Sequence, residues 1–323
     1  MAAELILALD YGGTKHTVGV IGVGERQWRA QRRIFAPAGA DVAYDLETTL
    51  AAARALLAGR QPVAVGASFG GPTDHARGVV VRSDHVPGWE RVPLQALLEG
   101  AFAAPAGIDN DANAGALGEH RYGAGQGVAH LLYVTVSTGV GGGWILNGAV
   151  WRGADGLAGE IGHTVVDPAG ALCGCGKRGC VERLAAGPFM AGDAAVMLAA
   201  EPGRGAILRR LAGQQPLSGQ LLSEAAAQGD DVAREILQRG AAALGLGIGN
   251  AANLMNPQRV VLGGGVTKAG ELWWETVRQV AQATLVAGMR LAVVPAGLGD
   301  DAPLWGAVAL AEARLGQQGR QPG

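Results

Sequence analysis

Apolar positions along the chain fall into two patterns. Short runs rich in Leu, Ile and Val stop abruptly at glycine or aspartate: ELILAL (4–9), TVGVIGV (17–23), PVAVGAS (62–68), HLLYVTV (130–136), WILNGAV (144–150), RVVLGGGV (259–266) and LAVVPAG (291–297). Their brevity and β-branched content predict strands. Longer stretches carry Leu and Ala at helical spacing: DLETTLAAARALLAG (45–59), PLQALLEGAF (93–102), ANAGALGEH (112–120), most of 186–255, and APLWGAVALAEARL (302–315). Pro93 suits the first turn of its helix, and Pro257 stops the one before it. A short strand ends at GIDND (107–111), directly before the helix at 112. The class is α/β.

Two of these segments share one design. ELILAL and TVGVIGV flank the glycine turn DYGGTK, and HLLYVTV and WILNGAV flank STGVGGG. Strand, glycine turn, strand, repeated far apart, predicts an internally duplicated fold. Residues 151–182 read as polar loop, and no linker of flexible composition divides the chain. The expectation is two lobes around a cleft.

Composition narrows the partners. A length of 323 residues and a 49% hydrophobic content suffice for a large core. Net charge is -2 with no basic run, so binding to nucleic acid through phosphates is not expected. The opening MAAELILALDYGG lacks a basic segment and a cleavage signature, and no later run reaches membrane length. A cytoplasmic protein acting on small molecules is expected. Glycine is the abnormal figure, at 54 residues, gathered at DYGGTK, SFGGP, STGVGGG, CGCGKRGC and GGGV. Such clustering predicts backbone brought close to ligands.

Glycine loops can grip phosphates through their amides. A Walker loop must lead into a helix, whereas DYGGTK leads into a strand; GAGQGV (123–128) lacks the spacing of a dinucleotide fingerprint. Phosphate-gripping hairpins remain, beside the plainer alternative of tight turns using positive φ. All three cysteines lie in ALCGCGKRGC (171–180). Cys173, Cys175 and Cys180 would supply three soft ligands to a tetrahedral zinc, and His163 is the best-placed fourth. An odd count argues against a disulfide framework; buried free thiols are the alternative. For phosphoryl transfer to an alcohol, a carboxylate at a strand end would serve as base. Asp111 stands at such a switch, with Asp109 and Glu119 as rivals, although an aspartate there is commonly a helix cap.

Taken in order, LALDYGGTK, GIDNDANAGALGE, STGVGGG, GLAGEIGH, CGCGKRGC with Glu182, NAANLMNPQRVVLGGGV and GDDAPLWGA resemble the ROK family of sugar kinases and regulators, its glucokinase branch above all. The resemblance covers nearly the whole chain. It implies the two-lobed actin-like (ribonuclease H-like) ATPase fold, with residues 1–115 and 300–323 in a small lobe and 116–299 in a larger one holding a zinc-clamped loop. It implies ATP phosphates facing Gly12, Gly13, Thr14 and Lys15 on one side and Ser137, Thr138, Gly139 and Gly141 on the other. Gly264, Gly265 and Val266 would line the adenosine. Asp10 would hold Mg2+ through water, unless it only caps its turn. Asp111 would be the general base. Asn110, Glu160, His163, Glu182, Gly71 and His85 would meet the sugar. A structural zinc on His163, Cys173, Cys175 and Cys180 would brace the loop that carries Glu160 and His163 and leads to Glu182. By analogy the assembly would be a homodimer or a dimer of dimers.

Three positions depart from the family pattern: His85 replaces a frequent asparagine, Ser137 a frequent glycine, and Asp155 a residue that is usually small. The expected activity is ATP-dependent phosphorylation of a hexose, foremost glucose at its 6-hydroxyl, with mannose, fructose and N-acetylhexosamines as alternatives. A sugar-sensing regulator would need a DNA-binding domain ahead of Leu5, which only four residues precede. A degenerate sugar-binding protein is disfavoured because Asp10, Lys15 and Asp111 are all present.

Overall fold

The computed structural model describes residues 4–83 and 85–318. It divides into two compact units: 1–127 with 143–158 and 301–323, and 128–142 with 159–300.

The first unit opens with the expected hairpin, β1 (Leu5–Tyr11) and β2 (Lys15–Gly22), followed by β3 (Ala30–Phe35). Helix α1 (Val42–Leu57) starts at Asp41, whose carboxylate accepts from the Tyr44 N–H. Strand β4 (Ala64–Phe69) precedes the small ribbon β5 (Thr73–Asp74) and β6 (Val79–Val80). Helix α2 (Leu94–Phe102) has Pro93 as its cap residue; β7 (Ala106–Asn110) then runs straight into α3 (Asp111–Tyr122). The sheet order is β3-β2-β1-β4-β7, with β1 parallel to β4 and β4 parallel to β7. That parallel registry aligns Asp10, Ser68 and Asp109 across three strand ends.

Strand β8 (Leu131–Val136) and the start of β9 (Val140–Leu146) belong to the second unit; the rest of β9 and β10 (Ala149–Trp151) belong to the first. A helical block follows: α4 (Val181–Ala185), α5 (Gly187–Ala200), α6 (Ala206–Ala212), α7 (Gly219–Ala227) and α8 (Asp231–Met255). As Pro257 predicts, α8 ends there, through Asn256 in the left-handed region. Strand β11 (Arg259–Gly263), helix α9 (Glu271–Thr284) and strand β12 (Ala292–Pro295) complete the second unit. The second sheet has the order β10-β9-β8-β11-β12, so the two sheets repeat one arrangement, as the paired hairpins predict.

Helix α10 (Ala302–Gln318) rejoins the first unit, lying on β4 and α3. Contact there is backbone to backbone. A Cβ on Gly66 would sit 1.7 Å from the Ala307 carbonyl oxygen, and one on Gly306 would sit 1.9 Å from that of Ala114. These glycines serve helix packing rather than ligands. Helix α3 packs on α10 and on β10, so α3 and the 143–158 segment fall in the first unit, which runs along the chain to 127 rather than 115.

Three elements escape the hydrophobic pattern. Strand β3 is an edge strand that exposes Gln31, Arg32 and Arg33. Helix α9 buries only the narrow stripe Trp273, Val277 and Ala281. Strand β9 runs through glycines expected to be turn. Among the described residues no helix is long and apolar enough to cross a membrane.

Candidate active site

In the first unit the expected site residues gather at the strand ends. Asp10 is the penultimate residue of β1, beside the turn Gly12–Thr14, where the Gly12 N–H donates to the Lys15 carbonyl at 3.1 Å. Neither Gly12 nor Gly13 has positive φ, so the turn does not need glycine for its backbone angles. Gly13 instead admits a neighbour: a Cβ there would lie 3.0 Å from that of His85, whose side chain rests on the hairpin.

The β7–α3 junction explains Asp111. Asn110, not Asp111, caps the helix: its Oδ1 accepts from the N–H groups of Ala112 (2.9 Å) and Asn113 (3.3 Å). Its Nδ2 donates to the Gly71 carbonyl (3.1 Å) and to Asp111 Oδ1 (2.9 Å). Asp111 Oδ1 also accepts from the Ala112 N–H at 2.8 Å. Both of these bonds fall on Oδ1, while Oδ2 lies 3.8 Å from where a Gly70 Cβ would be. Burial, and then the Asp10 charge, push the Asp111 carboxyl up to about 7. Burial likewise raises Asp10 to about 6, against the Ser68 hydroxyl and the charges of Lys15 and His16. The carboxylate oxygens of Asp10 and Asp111 are donors of the kind that could hold Mg2+.

The rivals of Asp111 are committed elsewhere. Asp109 is buried and accepts from Arg152 through Nε (2.9 Å) and Nη2 (2.6 Å), from Asn113 Nδ2 (3.1 Å) and from the Asn110 N–H (2.9 Å). Glu119 is buried and accepts from the Ala124 N–H at 2.7 Å. Arg152 was missed by sequence reasoning because nothing in a lone arginine after a strand marks its partner.

In the second unit, Ser137, Thr138, Gly265 and Val266 line a cavity of about 770 Å3, together with Gly187, Ser218 and Lys268. Its size is that of a small-ligand pocket. Two helix N-termini open on it: α5, with Pro188 in its first turn, and α7, where the Ser218 hydroxyl accepts from the Leu221 N–H at 3.2 Å. Such ends favour negative charge. Gly264 enters the turn at φ +89°, and a Cβ there would be 2.3 Å from the Val136 carbonyl oxygen. The α7 contribution was missed, although Ser218 before an apolar run is a legible cap.

Gly139 and Gly141 flank Val140 at the start of β9, and Glu182 lies against Gly139 and Val140. Its Oε2 accepts from the Val140 N–H at 3.0 Å, and a Cβ on Gly139 would sit 2.7 Å from the same oxygen. Glu160 is exposed, one residue before the short 3-10 turn Ile161–His163.

His163, Cys173, Cys175 and Cys180 converge with their ligand atoms all within 4.8 Å of one another. His163 Nδ1 lies 3.9 Å from Cys173 Sγ, and the Cys175 and Cys180 sulfurs are 3.6 Å apart, unbonded. Tetrahedral zinc with metal–sulfur bonds of about 2.3 Å places its donors about 3.5–3.8 Å apart, so the cluster fits that ion. Burial and the two neighbouring thiols push Cys180 up to about 12, whereas the Lys177 N–H lowers Cys175. A cation bound there would take the place of the Cys180 proton.

The sequence profile of the ROK family matches residues 6–314. The chain belongs to the ROK family. It is 33% identical over 312 residues to a glucokinase of Streptomyces coelicolor, covering 95% of this chain and 97% of that one. It is equally identical over 311 residues to an N-acetylmannosamine kinase of Yersinia pestis, covering 96% and 99%. A ROK family glucokinase from Streptomyces griseus, solved with glucose and AMPPNP, superposes with a TM-score of 0.82 at 35% identity, over 96% of this chain and 99% of that one. The paired units are those of the mixed α/β, actin-like ROK fold, and the Cys3His cluster is consistent with a zinc site in it.

Proposed function

We propose that this ROK protein phosphorylates a hexose with ATP, glucose to glucose 6-phosphate being the foremost reaction. The observation that carries the reading is Asp111: a carboxyl freed from capping by Asn110, held by Oδ1, and poised at about 7. A general base works best with a pKa near the working pH. Oδ2 accepts the proton of the sugar hydroxyl as its oxygen attacks the terminal phosphorus of ATP, and ADP leaves. Asn110 keeps Oδ1 and the Gly71 carbonyl fixed, so its part is to orient the base. Asp10 would hold the Mg2+ of MgATP, which neutralises phosphate charge. Ser137, Thr138 and the 264–266 turn would take the nucleotide, supported by the cavity between the α5 and α7 N-termini.

Glu160, His163 and Glu182 would read sugar hydroxyls. With Nδ1 turned to the thiols, His163 keeps Nε2 for a hydroxyl, and zinc would hold that ring in place. A zinc held there would be structural, since four protein donors would close its coordination sphere. Support for glucose comes from the full-length likeness to glucokinases. An N-acetylhexosamine is the second reading, favoured by the equally long likeness to an N-acetylmannosamine kinase.

A coupled assay across glucose, mannose, fructose and N-acetylmannosamine, with ATP or polyphosphate as donor, tests the proposal. Highest kcat/KM for glucose with ATP is expected. Absence of phosphorylation of every sugar would defeat it.

A further inference from the structure

A buried polar group lies behind the first-unit site and plays no part in the chemistry above. Asp45, in the first turn of α1, is 1% exposed. Its Oδ1 meets Nε2 of the fully buried His16 at 2.7 Å, and its Oδ2 accepts from Nε1 of the fully buried Trp89 at 3.0 Å. Burying a carboxylate costs several kcal/mol unless it is paired. Apolar side chains could fill this space, so the polar group asks for a reason.

Each partner leads to the candidate site. His16 follows Lys15 on β2 and pairs in register with Tyr11, the neighbour of Asp10. Trp89 belongs to the segment that carries His85, which rests on Gly13. Its ring packs on Phe69 (4.7 Å) and Tyr11 (5.5 Å), and Phe69 in turn backs Gly71. Helix α1 grips the same segment through its backbone, the Val42 N–H donating to the Pro87 carbonyl at 3.1 Å.

We propose that Asp45 is a positioning residue which, by joining His16 to Trp89, locks the first glycine hairpin and the 85–89 segment into one surface and thereby sets sugar affinity. A carboxylate accepts from both donors at once. Asparagine offers a single oxygen, which the indole claims because it can only donate; the amide NH2 then faces His16 Nε2, and one of the two ties is lost or inverted. Loss of a bond to a charged acceptor corresponds to about a ten-fold change in an equilibrium.

The inference rests on the kinase reading, so the test separates the two. Asp45→Asn, Trp89→Phe and the double variant are compared with wild type for sugar KM, kcat, Tm and hydrogen exchange of the 85–89 amides. Expected are an about ten-fold rise in sugar KM in each single variant with kcat nearly unchanged, a double variant well short of the product of the two, and faster exchange at 85–89. A lower Tm with KM and exchange unchanged would overturn it, as Asp45 would then be merely structural. If Asp45→Asn does not fold, Trp89→Phe carries the same comparison. Should wild type phosphorylate no sugar, the kinase reading fails and exchange alone decides: acceleration at 85–89 supports the coupling, no acceleration refutes it.

Discussion

Asparagine at position 111 preserves the shape of the side chain and an oxygen for the bonds at Oδ1, but removes a charge that its surroundings oppose. The carboxyl moves from 3.8 to about 7, chiefly by burial and secondly by Asp10. One pKa unit corresponds to about 1.4 kcal/mol, so the charged form costs the fold up to about 4 kcal/mol at pH 8. The folded pKa is raised, so the folded state binds this proton more tightly than the unfolded chain. Its contribution is therefore fully present below about pH 4 and is lost as pH rises through about 7. Asp111→Asn should then stabilise the protein at pH 8 by about 2–4 kcal/mol, and by only about 1–2 kcal/mol at pH 5. In thermal melts without added magnesium or chelator, a gain of about 2 °C per kcal/mol is the scale for a chain of this size. Turnover should fall by about 10²–10⁴-fold. A variant that melts at or below wild type at pH 8, or whose gain is equal at both pH values, would refute the assignment of the raised carboxyl to Asp111.

Elemental analysis should find one zinc per chain, and Cys180→Ser should lose the metal, sugar affinity and thermal stability together; normal activity in metal-free protein would contradict this. Arg152→Met leaves the Asp109 carboxylate buried without its fork and should cost about 3 kcal/mol in urea unfolding. Gly264→Ala places a Cβ against the Val136 carbonyl at a positive φ. It should raise the KM for ATP far more than that for sugar, measured with each substrate varied in turn.

Much of the fold was legible because its strands are buried on both faces. Strand β1 exposes almost nothing, and such a strand reads as an unbroken apolar run. Strand β3 and helix α9 were not legible for the opposite reason, as one shows arginines to solvent and the other buries a stripe only three residues deep. Glycine misled in one respect. Clustering near turns drew attention to ligands, yet Gly66 and Gly306 are small so that α10 can lie against β4 and α3. A sequence shows that bulk is forbidden at a position without showing what forbids it.

The candidate site was legible where chemistry is local and illegible where it is shared across the fold. Cys173, Cys175 and Cys180 announce a metal by spacing, and their convergence with His163 follows from the short loop that holds all four. Asp111 is different: its neighbours in sequence made it one carboxylate among three. What separates them is who else is in the room. Arg152 occupies Asp109, the Ala124 N–H occupies Glu119, and Asn110 takes over the cap that Asp111 would otherwise form. The proposed base is thus the carboxyl of the three whose hydrogen bonds, among the described residues, fall on one oxygen. The same logic applies behind the site, where Asp45 is bound to partners 29 and 44 residues away and no local pattern hints at either. Which carboxyl is tied into the structure, and by what, depends on such distant partners, and that balance exists only once the chain has folded.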